Sequence, residues 1–120
     1  MKKALICDDD ADRVTVLHLF LKGLGYYVTV GHATIGVSPY LLETTERHMV
    51  LVGPGIDFAF LRVVMHMPKM RLHRYILLSA RERTIPSLTA KMGARLYLFL
   101  TPLPLDLSLL RHTIAAAEAA

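Results

Sequence analysis

Arg47-His48-Met49-Val50-Leu51-Val52-Gly53-Pro54-Gly55-Ile56-Asp57 is the stretch on which the fold of this chain turns. Residues 49–53 form a short apolar run containing two valines and closed by turn formers, which predicts a buried β-strand. In the turn that follows, Gly53 and Gly55 permit positive φ, and Pro54 removes a backbone donor. In an open α/β sheet the C-terminal strand ends are where chemistry is placed. Here that spot offers no side chain able to do any.

Working outward, residues 2–7 (K-K-A-L-I-C) predict a first strand, with Asp8-Asp9-Asp10 at its end. Asp10 or Asp12 caps a helix running to about Leu24, with Val14, Leu17, Leu21 and Leu24 at helical spacing and Val16, Leu19 and Phe20 widening the stripe. Gly23 and Gly25 stop it. Residues 26–30, rich in Tyr, Val and Thr, predict a second strand, and residues 31–36 a loop. Ser38-Pro39 opens a short helix through Glu46.

Beyond the central stretch, a helix starts at Asp57, buries Phe58, Leu61, Val64 and Met65, and ends before Pro68. Residues 75–79 predict a fourth strand. A helix over residues 84–92, with Pro86 in its first turn, is ended by Gly93, and residues 95–100 predict a fifth strand. Asp106 caps a last helix with Leu107, Leu110 and Ile114 inward. Five strands alternating with five helices predict a single α/β domain over residues 1–120: a doubly wound, five-stranded parallel sheet in a three-layer α/β/α sandwich.

Composition agrees with covered sheet faces. Of the 120 residues, 53% are hydrophobic, and the mean hydropathy is +0.41, which suits a sheet covered on both sides and some apolar surface for a partner. No apolar run approaches the roughly 18 residues of a membrane span. Met1-Lys2-Lys3 leads straight into a strand and acids, unlike a signal peptide, and the single Cys7, read as a buried strand residue, suits a reducing cytoplasm. Residues 1–57 hold seven acids against five Lys and Arg, whereas residues 58–120 hold nine Lys and Arg against three acids. That asymmetry suggests a basic face and an acidic protein, lipid or nucleic-acid partner; the plainer reading is a solvated surface of mixed charge.

The pattern resembles the receiver domain of bacterial two-component response regulators, a flavodoxin-like fold. The likeness covers essentially the whole chain. It is carried by Lys3-Ala4-Leu5-Ile6-Cys7-Asp8-Asp9-Asp10, the spacing to residues 48–52, Tyr75-Ile76-Leu77-Leu78-Ser79-Ala80, and Lys91-Met92-Gly93-Ala94-Arg95-Leu96-Tyr97-Leu98. The resemblance implies one reaction, in which an aspartate after strand three accepts a phosphoryl group from a histidine kinase. Two acids after strand one hold Mg²⁺, a Ser or Thr after strand four senses the phosphate, and a lysine after strand five pairs with it. The metal and lysine offset phosphoryl charge, while the carboxylate is the nucleophile.

Asp8 and Asp9 match the acid pair and Ser79 the hydroxyl. Gly53 falls where the phosphoacceptor should be. The lysine position falls on Leu100 by counting from Gly93, or on Thr101 or Leu103 if the loop holds insertions. Between Asp12 and Asp57 there is no aspartate, and after Lys91 no lysine; Asp57 sits at a helix start, where capping explains it. The expectation is therefore a pseudo-receiver: a non-enzymatic, cytoplasmic, phosphorylation-independent protein–protein interaction module of signal transduction. With the central carboxylate missing, Asp8 and Asp9 would hold Mg²⁺ weakly at best.

The resemblance places the partner or homodimer surface on the fourth helix, strand five and last helix. There Arg81, Arg83 and Arg95 offer a grip on an acidic partner, and Tyr97 matches a switching aromatic. Met65, Met67 and Met70 interleave with Arg62, His66, Lys69, Arg71, His73 and Arg74, and two of these methionines are read as core filling. The stretch lacks aromatic interleaving, which argues against nucleic acid. Six histidines have no metal-ligand spacing, and no Gly-Lys-Ser/Thr follows either glycine pair. The alternative reading is a small-molecule sensor using a pocket opened at Gly53 beside Asp8, Asp9 and Ser79.

Overall fold

In Lys2–Cys7 (β1), Ala4, Leu5, Ile6 and Cys7 are all buried, although successive side chains point to opposite faces. A strand apolar on both faces has to lie inside a sheet covered on both sides. The computed structural model of the chain, which describes residues 2–31, 44–55, 61, 63, 65, 67–79 and 98–120, places it there. β1 pairs in parallel with Tyr26–Gly31 (β2) on one side and His48–Val52 (β3) on the other. Arg74–Ser79 (β4) and Leu98–Pro102 (β5) continue the sheet, again in parallel. The strand order is β2-β1-β3-β4-β5. It reverses direction of growth at β1/β3, the switch point where open α/β sheets form a crevice beyond their strand ends.

Alternation sorts the core into two layers. Ala4, Ile6, Met49, Leu51, Ile76 and Leu78 face one side, where they meet helices Ala11–Gly23 (α1) and Leu107–Ala119 (α2). Leu5, Cys7, Val50, Val52, Tyr75 and Leu77 face the other. There they meet Met70, from the 3₁₀ turn Pro68–Met70, and a helical segment described at residues 61, 63 and 65. Leu61 and Met65, four apart, are buried, whereas Val63 between them is exposed. Helices on both faces of an all-parallel five-stranded sheet make the three-layer, flavodoxin-like architecture.

Several local expectations shift. β3 begins one residue early, because His48 pairs with Lys3, and Gly53 stands just beyond its end with its N–H bonded to the Cys7 carbonyl at 2.8 Å. β5 runs on to Pro102, two residues past the expected stop, since Thr101 and Pro102 pair with Leu78 and Ser79. Asp10, not Asp12, caps α1 and accepts from the Arg13 N–H; Asp106 caps α2 as expected. Val16 and Leu19 do not widen the buried stripe of α1 but face outward, and Leu107, expected inward, is 40% exposed. Leu107 is the first residue of its helix, and the buried face consists of Leu110, Ile114 and Ala117. Two of the three methionines fill the core, as read from the sequence, and they are Met65 and Met70, while Met67 is exposed. His73 and Arg74, grouped with the surface cations there, are buried. The expected helices over residues 38–46 and 84–92 and the Asp57 cap lie outside the described residues, apart from residues 44–46, which are not helical.

Candidate functional site

Beyond the C-terminal ends of β1 and β3, the backbone turns sharply into α1, and the Asp8 side chain is carried under the Gly53 turn. Asp8 is 5% exposed, its carboxylate fully enclosed. Its Oδ1 accepts from the Asp10 N–H at 3.0 Å and from Arg13 Nη2 at 2.8 Å, while Oδ2 accepts from Arg13 Nε at 2.5 Å. This is a two-pronged guanidinium–carboxylate fork, the strongest geometry such a pair adopts. Arg13 Nη1 also lies 3.7 Å from Asp10 Oδ2.

The electrostatics follow from that geometry. Burial by itself would raise the Asp8 carboxyl, but the Arg13 hydrogen bonds and charge, with the Asp10 and Asp9 backbone N–H groups, bring it below the ordinary carboxylate value. Arg13 is raised in turn, chiefly by its hydrogen bond to Asp8. Cys7, just before Asp8, is pushed up to about 12 by burial and then by the Asp8 charge, so it stays a thiol.

The glycines of the turn complete the cradle. A Cβ on Gly53 would stand 2.6 Å from Asp8 Cγ and 2.7 and 2.9 Å from its oxygens. A Cβ on Gly55 would stand 2.9 Å from Asp9 Oδ2. Gly53 is thus required by the close approach of the enclosed Asp8 carboxylate, whereas the exposed Asp9 beside Gly55 could turn aside. The space that a side chain on Gly53 would take is held by the Asp8 carboxylate.

The residues present do not fit a divalent cation. Both Asp8 oxygens already accept from a guanidinium, which would have to leave before Mg²⁺ could approach. Among the described residues, no group of three or more His, Cys, Asp or Glu converges as a metal site.

No family model and no curated protein matches the chain. Solved structures do. A two-component response regulator from Clostridium difficile superposes with a TM-score of 0.78 at 13% identity, over 99% of this chain and 97% of its own. The receiver domain of a sensor histidine kinase from Pseudomonas aeruginosa PAO1, which has a magnesium ion coordinated in its active-site cleft, gives 0.72 at 19% identity, over 99% and 98%. This chain has the receiver-domain fold. A protein from Burkholderia thailandensis assigned to pilus assembly shares that fold over the full length of both chains, at a TM-score of 0.67 and 21% identity.

Within this receiver fold, Asp8 and Asp9 come together with Gly53 and Gly55. Ser79 ends β4 opposite Pro102; its side chain lies outside the described residues. Leu100 packs against the core, Thr101 is buried, and both belong to β5. Leu103 is the first residue past that strand and packs against the opposite core layer. Arg81, Arg83, Arg95 and Tyr97 lie outside the described residues.

Arg13 is the residue that sequence reading missed. Its signal was a cation in the first turn of a helix, where the macrodipole disfavours positive charge unless an anion sits beside it. Two anions do, Asp8 and Asp10.

Proposed function

We propose that the chain is a pseudo-receiver, a non-enzymatic module of signal transduction that binds a protein partner and works in the cytoplasm without phosphorylation or a bound metal. The observation that carries this reading is the Asp8–Arg13 fork packed on Gly53. A receiver that accepts phosphate needs a free carboxylate, a cation to meet the phosphoryl oxygens and a metal-binding acid. Here the position after β3 has no side chain, and the chain's own Arg13 neutralises the buried acid. The charge balance that metal and lysine would bring is supplied from within, so the site favours one fixed state. No helix among the described residues is long and apolar enough to cross a membrane. A structural neighbour assigned to pilus assembly supports a role for this fold beyond the response regulators themselves.

The proposed surface is the segment before β5, β5 itself and α2, with Arg81, Arg83, Arg95 and Tyr97 meeting an acidic partner or a second copy. Exposed Leu107 and Leu109 give its described part an apolar component. Affinity capture with the intact chain tests it, using a chain carrying Arg81→Ala, Arg83→Ala and Tyr97→Ala as control. A partner retained by the first and lost by the second is expected, unchanged by a phosphodonor. Equal capture by both, or capture only after phosphodonor treatment, would contradict the proposal.

A further inference from the structure

At the pole opposite Asp8, the N-terminal ends of β1 and β3 border a cavity of about 300 Å³. Lys2 and Lys3 enter it from the start of β1 and Arg47 from the residue before β3. Its floor is less polar and well covered: Tyr26 and Met49 are buried. Facing the three cations is Glu118, in the last turn of α2. Its carboxylate accepts a hydrogen bond from the Tyr26 hydroxyl and stands 3.4 Å from Lys2 Nζ, while its backbone carbonyl accepts from Arg47 Nη2 at 3.1 Å. Lys3 is paired with Glu46, outside the lining. Behind Lys2 and Glu118 a second cavity of about 210 Å³ begins, lined by the same two residues and by Arg111.

We infer that this pole is a binding site for a small organic phosphate, with Glu118 as a built-in competitor for its seat. The Glu118 carboxylate already shows where an anion rests: against Lys2 and the Tyr26 hydroxyl. When the Glu118 side chain leaves, Lys2 loses its carboxylate partner while Arg47, whose Nη2 donates to the Glu118 backbone carbonyl, stands at the same cavity, and two positive charges match a phosphomonoester dianion. A guanidinium fork and an ammonium are the usual pair for such a group. The organic body has a place too, on the floor formed by Met49 and by Tyr26, whose ring Lys2 Nζ overlies at 5.4 Å from its centroid, and a cavity of this size sits at the lower end of small-ligand sites. Lys2 and Glu118 line both cavities, so parting this pair also alters the second one, which Arg111 lines. Binding also frees the last turn of α2 from Lys2 and Tyr26, so the ligand would be read as a change at the end of that helix.

The test is a titration of the chain with adenosine 5′-monophosphate, and separately with inorganic phosphate, at constant ionic strength. Melting temperature and backbone amide NMR shifts are followed together. A saturable rise in melting temperature is expected with the nucleotide, with shifts centred on residues 2–3, 47–49 and 115–120. Glu118→Gln should tighten binding by about tenfold, equivalent to roughly 1.4 kcal/mol. Lys2→Ala with Arg47→Ala should weaken it by at least about tenfold, and Arg47→Lys, which keeps the charge but loses the fork, by about threefold. No saturable change in either the intact chain or Glu118→Gln up to about 10 mM would overturn the assignment, as that is weaker than a millimolar site. So would equal binding by the Lys2/Arg47 variants, or inorganic phosphate binding as tightly as the nucleotide.

Discussion

Arg13 occupies the third position of α1, where a positive charge faces the positive end of the helix dipole. It is held there by Asp8, whose side chain has no solvent contact, so each charge depends on the other. Arg13→Met should therefore destabilise the protein by about 3 kcal/mol, because it leaves a buried carboxylate unpaired. Asp8→Asn with Arg13→Met should recover most of that loss, since removing both charges removes the desolvation penalty as well. Chemical denaturation of the two variants checks this, and equal destabilisation by both would contradict the pairing. The acid limb gives a second check. Asp8 is depressed when folded, so its stabilisation is complete above the unfolded value, 3.8, and fades as pH falls through the lower folded value. The stability of Asp8→Asn should fall less steeply below about pH 4 than that of the intact chain. Gly53 belongs to the same unit. Gly53→Ala should cost about 1–3 kcal/mol, the range for forcing a methyl into filled space, and Gly53→Asp more, because a second carboxylate would press on the first.

Individual elements show which parts of the architecture were legible in the sequence. Asp106 and the Leu110/Ile114 pair announced α2 because a cap followed by apolar residues four apart has one local solution. Residues 49–53 announced β3, one residue out of register with the observed His48–Val52, because a short run buried on both faces suits an inner parallel strand. The Asp8–Asp9 pair and the glycine turn located the site. The filling of that site by Arg13 was not legible, because the fork spans a cap turn, from the end of a strand to the first turn of a helix, and has no fixed sequence spacing. The burial of His73 and Arg74 was hidden for a related reason. The His73 Nδ1 accepts from the His48 backbone N–H at 3.0 Å, and Arg74 Nη2 donates to the Ala120 oxygen at 2.8 Å. Both are long-range contacts, and in sequence both residues sit in a basic run that reads as surface. The cap of α1 has a simple element-level test. Asp10→Ala should lower stability by about 1 kcal/mol, losing the bond to the Arg13 N–H, as measured by thermal unfolding.

At the scale of the molecule, the receiver fold has two charged poles. At the C-terminal strand ends the acid pair meets Arg13 and glycines; at the N-terminal ends Lys2, Lys3 and Arg47 gather around Glu118. Cys7 lies between sheet and helical layer and reports on the whole. Enclosed and with its thiol pushed up to about 12, it should resist a disulfide reagent at pH 8 until the chain unfolds globally. Labelling that tracks the unfolding curve in denaturant would agree, and rapid labelling of the native chain would not. The central claim concerns the first pole, and it is tested most directly by mass. The intact chain is incubated with a small-molecule phosphodonor and Mg²⁺ and its mass read by electrospray. An unchanged mass is the predicted result; a stoichiometric, base-labile gain of one phosphoryl group would contradict it.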